Sequence, residues 1–164
     1  KEMKVRLTES QIKRLPINEN FENSPLFKIY EKDCADANNK LNSYYGRLMS
    51  YSVSDILTER VNRELYNIGK IMDESYDKVY KLYRTLESKI EDKIGSAIDT
   101  DDEYDVYDKY QPIQSKVYEK YTVIDTKKSV LDDLSYKLQS LYNDLEDNEV
   151  NLNKIFGDIE TIEI

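Results

Sequence analysis

The clearest pattern in the sequence is a run of apolar residues spaced alternately three and four apart between Ile113 and Ile162. This heptad repeat places an apolar stripe along one side of a helix, and such a stripe is stable in water only when another helix covers it. At 1.5 Å per residue, the segment would form a helix about 75 Å long. The apolar positions are Ile113, Val117, Ile124, Leu131, Leu134, Leu138, Leu141, Leu145, Leu152, Ile155, Ile159 and Ile162.

Two earlier stretches have the same kind of periodicity. The first follows Ser24-Pro25, a pair typical of a helix start because serine caps the first turn and proline already has helical φ. The second has a mean spacing nearer 3.6 residues, which is expected of a straighter helix. The repeating positions are Phe27, Tyr30, Cys34, Ala37, Leu41, Tyr44, Leu48 and Tyr51 in the first, and Val61, Leu65, Ile68, Met72, Tyr76, Val79, Tyr83, Leu86, Ile90, Ile94 and Ala97 in the second.

These patterns predict an all-α fold in which three long helices form an elongated antiparallel bundle with coiled-coil-like packing. We expect helix A from about Pro25 to Tyr51, helix B from about Asp55 to Ala97 and helix C from about Pro112 to Phe156. Helix B would end near Gly95-Ser96, and Asp99 to Gln111 would be an acidic bend. Proline fits the first turn of a helix, so Pro112 is expected to begin helix C.

Before the bundle, residues 1–24 are predicted to form a basic N-terminal arm, with residues 25–164 as the bundle itself. Thr8 and Gln11 have the spacing of a capping box, which predicts a short helix from Glu9 to Leu15. Pro16 would end that helix. The following connector is expected to be exposed and held only by Ile17 and Phe21.

The opening stretch Lys4-Val5-Arg6-Leu7-Thr8-Glu9-Ser10-Gln11-Ile12 resembles the start of many small proteins of tailed bacteriophages. The resemblance is confined to this stretch and includes no catalytic residue. It implies a virion component or a phage accessory protein, and it implies nothing about mechanism.

Polar residues interrupt the repeat of helix C at Lys120, Lys127 and Asn148. A polar residue at such a position lowers stability but fixes the register of the helices, and this is the role expected of Asn148. The lysines are expected to bury their stems and keep their ammonium groups in water. In helix A, a buried tyrosine needs a partner for its hydroxyl, so Tyr30, Tyr44 and Tyr51 are predicted at the margins of the packed face.

Composition supports long solvated helices: 35% of residues are charged, with only four glycines and three prolines. The net charge of −9 argues against direct nucleic-acid binding. The charge is uneven, because residues 1–15 carry five basic and two acidic side chains whereas residues 98–112 carry one basic and six acidic ones. No apolar run is long enough to span a membrane, so the protein is predicted to be soluble, either cytoplasmic or virion-associated.

The residue types present leave little room for catalysis. The chain has no histidine and one cysteine, Cys34, which excludes Ser-His and Cys-His nucleophiles and a structural zinc site. Asp99, Asp101, Glu103 and Asp105 alternate like calcium ligands, but tyrosines occupy the loop positions that require Gly and Glu. We therefore predict no enzyme activity, metal or cofactor. A carboxylate-only enzyme would need a deep acidic pocket.

The fifteen tyrosines suggest a binding role, since tyrosine is enriched at protein interfaces. The alternative is that these rings are half-buried at helix edges. The residues predicted to contact a partner are Tyr80, Tyr107 and Tyr118, together with Lys4, Arg6, Lys13 and Arg14 of the basic arm.

The leading hypothesis is a non-enzymatic structural or adaptor protein that binds protein partners, with self-association through helix C and a place in a phage particle as forms of that role. The alternative is an acidic inhibitor or nucleic-acid mimic that blocks a basic surface of an enzyme. Binding by a mimic should weaken steeply with salt, and assembly through apolar helix faces should not.

Overall fold

The computed structural model describes residues 8–15, 17 and 21–143, and every regular element in these ranges is helical. The predicted all-α class is therefore confirmed for this part of the chain. The predictions that concern residues beyond Asn143, including the end of helix C at Phe156 and the role of Asn148, lie outside the described residues. The elements are α1 (Glu9–Lys13), a 3₁₀ turn (Phe21–Asn23), α2 (Pro25–Ser50), α3 (Val53–Ile56), α4 (Glu59–Ala97) and α5 (Glu103–Asn143).

The short first helix is held by the predicted capping box. The Thr8 backbone N–H donates to Gln11 Oε1 at 2.8 Å, and the Gln11 N–H donates to Thr8 Oγ1 at 3.2 Å. The helix ends at Lys13, two residues before the predicted end at Leu15. In the segment that follows, Ile17 and Phe21 are buried, in agreement with the expectation that they hold the connector.

Helix α2 agrees with predicted helix A to within one residue, and all but the last of its repeating positions are buried. The prediction that its tyrosines lie at the margins is wrong for Tyr30 and Tyr44, which are fully buried. Tyr30 can be buried because its hydroxyl donates to the Val117 carbonyl at 2.7 Å. The Tyr44 hydroxyl has no hydrogen-bond partner among the described residues, so burial of its ring must outweigh the cost of that unpaired group.

The predicted start of helix B at Asp55 is wrong by four residues, because two polar side chains each cap a separate helix. Ser52 and Asp55 form a capping box for α3, and the Ser52 N–H donates to Asp55 Oδ2 at 3.0 Å. These hydrogen bonds from Ser52 lower the pKa of the Asp55 carboxyl. Thr58 Oγ1 then accepts from the Val61 N–H at 3.3 Å, and α4 begins at Glu59.

Helix α5 begins at Glu103, so the predicted bend through Gln111 and the predicted start at Pro112 are both wrong. Thr100 closes the turn earlier, since its hydroxyl donates to the Ala97 carbonyl at 2.6 Å and accepts from the Asp102 N–H at 3.3 Å. Acidic residues in the first turn favour a helix N-terminus. Pro112 lies inside the helix on its exposed side, at a cost of about 3 kcal/mol that packing of the helix must offset.

Asp99, just after α4, has a φ of 63°, in the left-handed region that favours glycine. Asp99→Gly is therefore expected to raise the free energy of unfolding by about 0.5–1 kcal/mol. Thermal or urea denaturation followed by circular dichroism would measure the change. Asp101→Gly removes the same charge from the same turn without relieving a positive φ, and it should not stabilise. Equal effects of the two substitutions would contradict the explanation from backbone conformation.

The structure divides into two compact units. Unit one consists of the described residues up to Cys34 and of Lys78–Tyr121. Within it α2 and α5 run parallel, because Lys116 Nζ lies 5.4 Å from the Phe27 ring centre and, four residues later on both helices, Lys120 Nζ lies 3.8 Å from Glu31. Helix α4 runs antiparallel to α5. The core of this unit includes Leu26, Phe27, Tyr30, Val79, Leu82, Leu86, Ile90 and Val117.

Unit two consists of Ala35–Asp77 and the described residues from Thr122 onward, and in it all three long helices contact one another. Helices α2 and α4 meet where Lys40 Nζ donates to Ser75 Oγ at 3.1 Å. Helices α2 and α5 meet where Lys127 Nζ donates to Asn38 Oδ1 at 2.6 Å. The sequence predicts that the Lys127 ammonium is surrounded by water. In the structure it donates to an asparagine side chain instead.

Lys128 is the most buried charged residue in the described ranges, and the sequence pattern gave no sign of it. Its Nζ lies 2.7 Å from Asp73 Oδ1, also pairs with Asp132, and sits 5.2 Å from the centre of the Tyr76 ring. Burial alone would lower the pKa of Lys128, but the hydrogen bonds to Asp132 and Asp73 raise it. The lysine therefore stays charged and ties α5 to α4.

The apolar positions of α5 at Val117, Ile124, Leu131, Leu134, Leu138 and Leu141 are buried within the single chain. No described helix combines the length and apolar character needed to cross a membrane.

Candidate functional site

Four tyrosines meet on two antiparallel helices of unit one: Tyr80 and Tyr83 of α4 with Tyr118 and Tyr121 of α5, here called the tyrosine cluster. On each helix the two rings are three residues apart and so lie on the same side. The rings of Tyr83 and Tyr121 are stacked, with centroids 4.2 Å apart and planes 9° apart. The ring centroids of Tyr118 and Tyr83 are 6.4 Å apart, and those of Tyr80 and Tyr121 are 6.1 Å apart. Both distances lie within the usual range for paired aromatic rings.

The cluster has a buried inner part and an exposed outer part. Tyr83 is buried and Tyr121 half-buried, whereas Tyr80 is 40% exposed and Tyr118 is 56% exposed. The stacked inner pair therefore fixes the position of two rings that present much of their surface to solvent. Such rigid aromatic side chains lose little conformational freedom when a partner covers them.

A groove of about 330 Å³ lies directly beside the cluster, between α4 and α5. Ile90 and Val117 lie behind its surface and are almost fully buried, and its other lining residues carry phenol, amide, hydroxyl and carboxylate groups. The lining residues are Tyr83, Glu87 and Ile90 of α4 and Gln114, Ser115, Val117 and Tyr118 of α5.

The carboxylate of Glu87 is held in place by two neighbours on its own helix. Its Oε2 accepts from the Tyr83 hydroxyl at 2.6 Å, and its Oε1 accepts from Arg84 Nη1 at 2.9 Å. Burial raises the pKa of Tyr83, and the bond to Glu87 raises it further. Tyr83 therefore remains a neutral hydrogen-bond donor that orients the carboxylate at the groove.

The structure brings together two of the predicted partner-binding residues, Tyr80 and Tyr118. Tyr107 is also exposed, but it lies three turns from Tyr118, about 16 Å away along α5. Lys13 and Arg14 are exposed at the end of α1. The remaining predicted contacts, Lys4 and Arg6, and the register position Asn148, lie outside the described residues.

The sequence predictions did not include Tyr121 or Glu87 among the site residues. They also missed the role of Tyr83, whose ring packs beneath the exposed rings and supports them. A usable signal was present: Tyr80 with Tyr83, and Tyr118 with Tyr121, are pairs with the same three-residue spacing on two helices predicted to run antiparallel. Placing the pairs opposite each other requires the register between the helices, and the spacing within each helix does not supply it.

The turn between α4 and α5 presents exposed carboxylates at Asp99, Asp101 and Asp102, and the first turns of α5 add Asp105 and Asp108. In the ranges described, no group of three or more His, Cys, Asp or Glu side chains is arranged so that it could hold a metal ion. The turn thus contributes negative charge to the surface of unit one.

Comparisons of the chain with protein-family models, with curated proteins and with solved structures found no match. The function has to be inferred from the geometry of the chain itself. The resemblance of the opening stretch to phage proteins stays a prediction.

Proposed function

We propose that this protein is a non-enzymatic structural or adaptor protein that binds another protein through the tyrosine cluster. The observation that carries this proposal is the stacked pair Tyr83 and Tyr121, which supports the exposed rings of Tyr80 and Tyr118, and Tyr118 also lines the adjacent groove. Aromatic side chains next to a desolvated pocket are typical of the residues that dominate binding energy at protein interfaces.

The scaffold we propose for this surface is a three-helix bundle with coiled-coil-like packing. Two observations support it: the heptad positions of α2 and of the described part of α5 are largely buried, and all three long helices contact one another in unit two. A scaffold of this kind fixes the spacing between rings on different helices, which an interface needs if binding is not to cost much entropy. A place in a phage particle, implied by the opening stretch, is one setting for such a protein.

The adaptor proposal predicts that the exposed rings of the cluster are required for partner binding. The double variant Tyr80→Ala/Tyr118→Ala should lower the recovery of the specific partner at least about tenfold, because truncation of one central aromatic residue commonly costs 2 kcal/mol or more. Quantitative affinity purification from the cells in which the protein occurs would measure this, with circular dichroism to verify helix content.

The matched control is Tyr66→Ala/Tyr136→Ala, which removes two exposed tyrosines from unit two. This control should recover the partner as the unmodified chain does. Equal recovery by the control and the cluster variant would overturn the proposal.

The second candidate is an acidic inhibitor or nucleic-acid mimic, and the exposed carboxylates of the turn between α4 and α5 favour it. Residues 98–112 carry six acidic side chains against one basic, a net charge of −5. A mimic that neutralises a basic surface should lose affinity steeply as salt rises, since its binding is mainly electrostatic. Partner binding that falls steeply with salt and is unchanged by Tyr80→Ala/Tyr118→Ala would favour the mimic, whereas loss of binding in that variant would favour the adaptor.

A further inference from the structure

The groove beside the tyrosine cluster combines three kinds of surface within a small space. Glu87 supplies a fixed carboxylate, Tyr118 supplies a largely exposed aromatic ring, and carbon atoms of the groove lining supply apolar surface. The carboxylate cannot turn freely away, because Tyr83 holds one oxygen and is itself stacked against Tyr121. A complementary ligand group would carry positive charge, a flat face and an apolar stem.

Arginine has these three properties together. Its guanidinium is planar, is always charged, pairs with carboxylates and stacks on aromatic rings, and its aliphatic stem packs on apolar surface. Arg84 already makes such a pairing with Glu87 at 2.9 Å, and its side chain is 60% exposed, so a second guanidinium can share or replace that contact. We propose that the groove receives an arginine of a partner protein, with the guanidinium between Glu87 and Tyr118 and the stem along the apolar part of the groove lining. This inference rests on the proposed role of the tyrosine cluster and names the chemistry of its partner.

The charge at one end of the two helices fits a basic partner segment. The turn that joins α4 to α5 carries exposed carboxylates about 12–18 Å along the helices from the groove, within reach of a segment that continues past it. Negative charge there attracts a segment that carries several arginines and disfavours an acidic one. Charge alone would not distinguish arginine from lysine, but the flat ring of Tyr118 favours the planar guanidinium over the ammonium.

The test is fluorescence anisotropy with two dye-labelled peptides. In one, arginines alternate with alanine and leucine, and in the other each arginine is replaced by citrulline, which has the same shape without the charge. We expect the citrulline peptide to bind the unmodified chain at least about tenfold more weakly, since a charge-assisted pair is lost. Failure of the arginine peptide to bind, or equal binding of both peptides, would overturn the inference.

Two matched pairs of variants locate the binding. Glu87→Gln should weaken the arginine peptide about tenfold, whereas Glu91→Gln, which removes the same charge from an exposed position of α4, should change affinity less than about twofold. Tyr118→Leu keeps an apolar side chain but removes the aromatic face, and it should also weaken binding, unlike Tyr104→Leu. An equal loss of affinity at Glu87 and Glu91 would mean that the peptide responds only to net charge. An equal loss at Tyr118 and Tyr104 would mean that it responds to exposed tyrosine in general. Either result would reject the groove as the binding site.

Failure of the arginine site can be distinguished from failure of the proposed function. If the Tyr80→Ala/Tyr118→Ala variant loses its natural partner while Glu87→Gln retains it, the cluster binds a protein but the arginine site is wrong. If both variants retain the partner, the proposed function itself fails.

Discussion

Replacing Ile124 with alanine is expected to lower the free energy of unfolding by about 2–5 kcal/mol. Ile124 occupies a heptad position of α5 in unit two and is only 2% exposed. Alanine would lose the transfer free energy of three carbon atoms and would leave a cavity that neighbouring side chains fill only in part. Urea denaturation followed by far-ultraviolet circular dichroism would measure the change.

The matched control is Ile71→Ala, which makes the same chemical change in the same unit. Ile71 lies on α4 and is 49% exposed, so the substitution should change the free energy of unfolding by no more than about 0.5 kcal/mol. A loss at Ile71 as large as that at Ile124 would show that burial does not distinguish the two positions. It would also contradict the assignment of Ile124 to the core.

The apolar periodicity predicted the long helices well because burial of apolar side chains dominates their stability. The start of α2 at Pro25 agrees with the prediction, and the end of α4 at Ala97 agrees as well. Both ends have strong local signals. At Pro25 a proline stands in the first turn, and near Ala97 the apolar repeat stops.

The predictions failed where weaker polar interactions decide the structure. Proline is favoured at a helix start, which predicts that the last helix begins at Pro112. Instead, the hydroxyl of Thr100 and the acidic residues Glu103 and Asp105 start α5 earlier. Tyr30 was placed at a margin because its hydroxyl needs a partner, and the partner proved to be a carbonyl eighty-seven residues away in the sequence. Contacts at such separation depend on helix register, which local spacing does not give.

The candidate site was predictable only in its outer part. Tyr80 and Tyr118 could be chosen because their positions fall outside the most buried stripe of each helix, and they are exposed. Glu87 looks like any other solvated acid in the sequence. Its importance follows from the Tyr83 hydroxyl that holds it and from the groove that α5 closes beside it.

Raising the pH above about 10 is expected to destabilise the fold strongly, because buried tyrosines must ionise when the chain unfolds. Burial raises the pKa of Tyr30 well above its ordinary value and raises the pKa of Tyr44 to about 12. In the unfolded chain tyrosine ionises near pH 10. The stabilisation is therefore fully present below about pH 10 and is lost as the pH rises towards the folded pKa values.

The expected slope follows from the number of such groups. Each tyrosine that is ionised only in the unfolded chain lowers the free energy of unfolding by about 1.4 kcal/mol per pH unit, so Tyr30 and Tyr44 together contribute about 2–3 kcal/mol per unit. Because a domain typically has a total stability of about 5–15 kcal/mol, this slope is a large fraction of it. Urea denaturation at a series of pH values between about 9 and 11.5 would measure the slope, and a flat profile would contradict the burial of both rings.

Two phenylalanine variants separate the ionisation from the packing. Both Tyr30→Phe and Tyr44→Phe should reduce the alkaline slope by about 1.4 kcal/mol per pH unit, since each removes one titrating hydroxyl. At neutral pH they should differ. Tyr30→Phe loses the hydrogen bond to the Val117 carbonyl and should cost about 1 kcal/mol, whereas Tyr44→Phe removes a hydroxyl without a partner among the described residues and should be neutral or stabilising. An equal cost at neutral pH would show that the Tyr44 hydroxyl is paired in the folded chain.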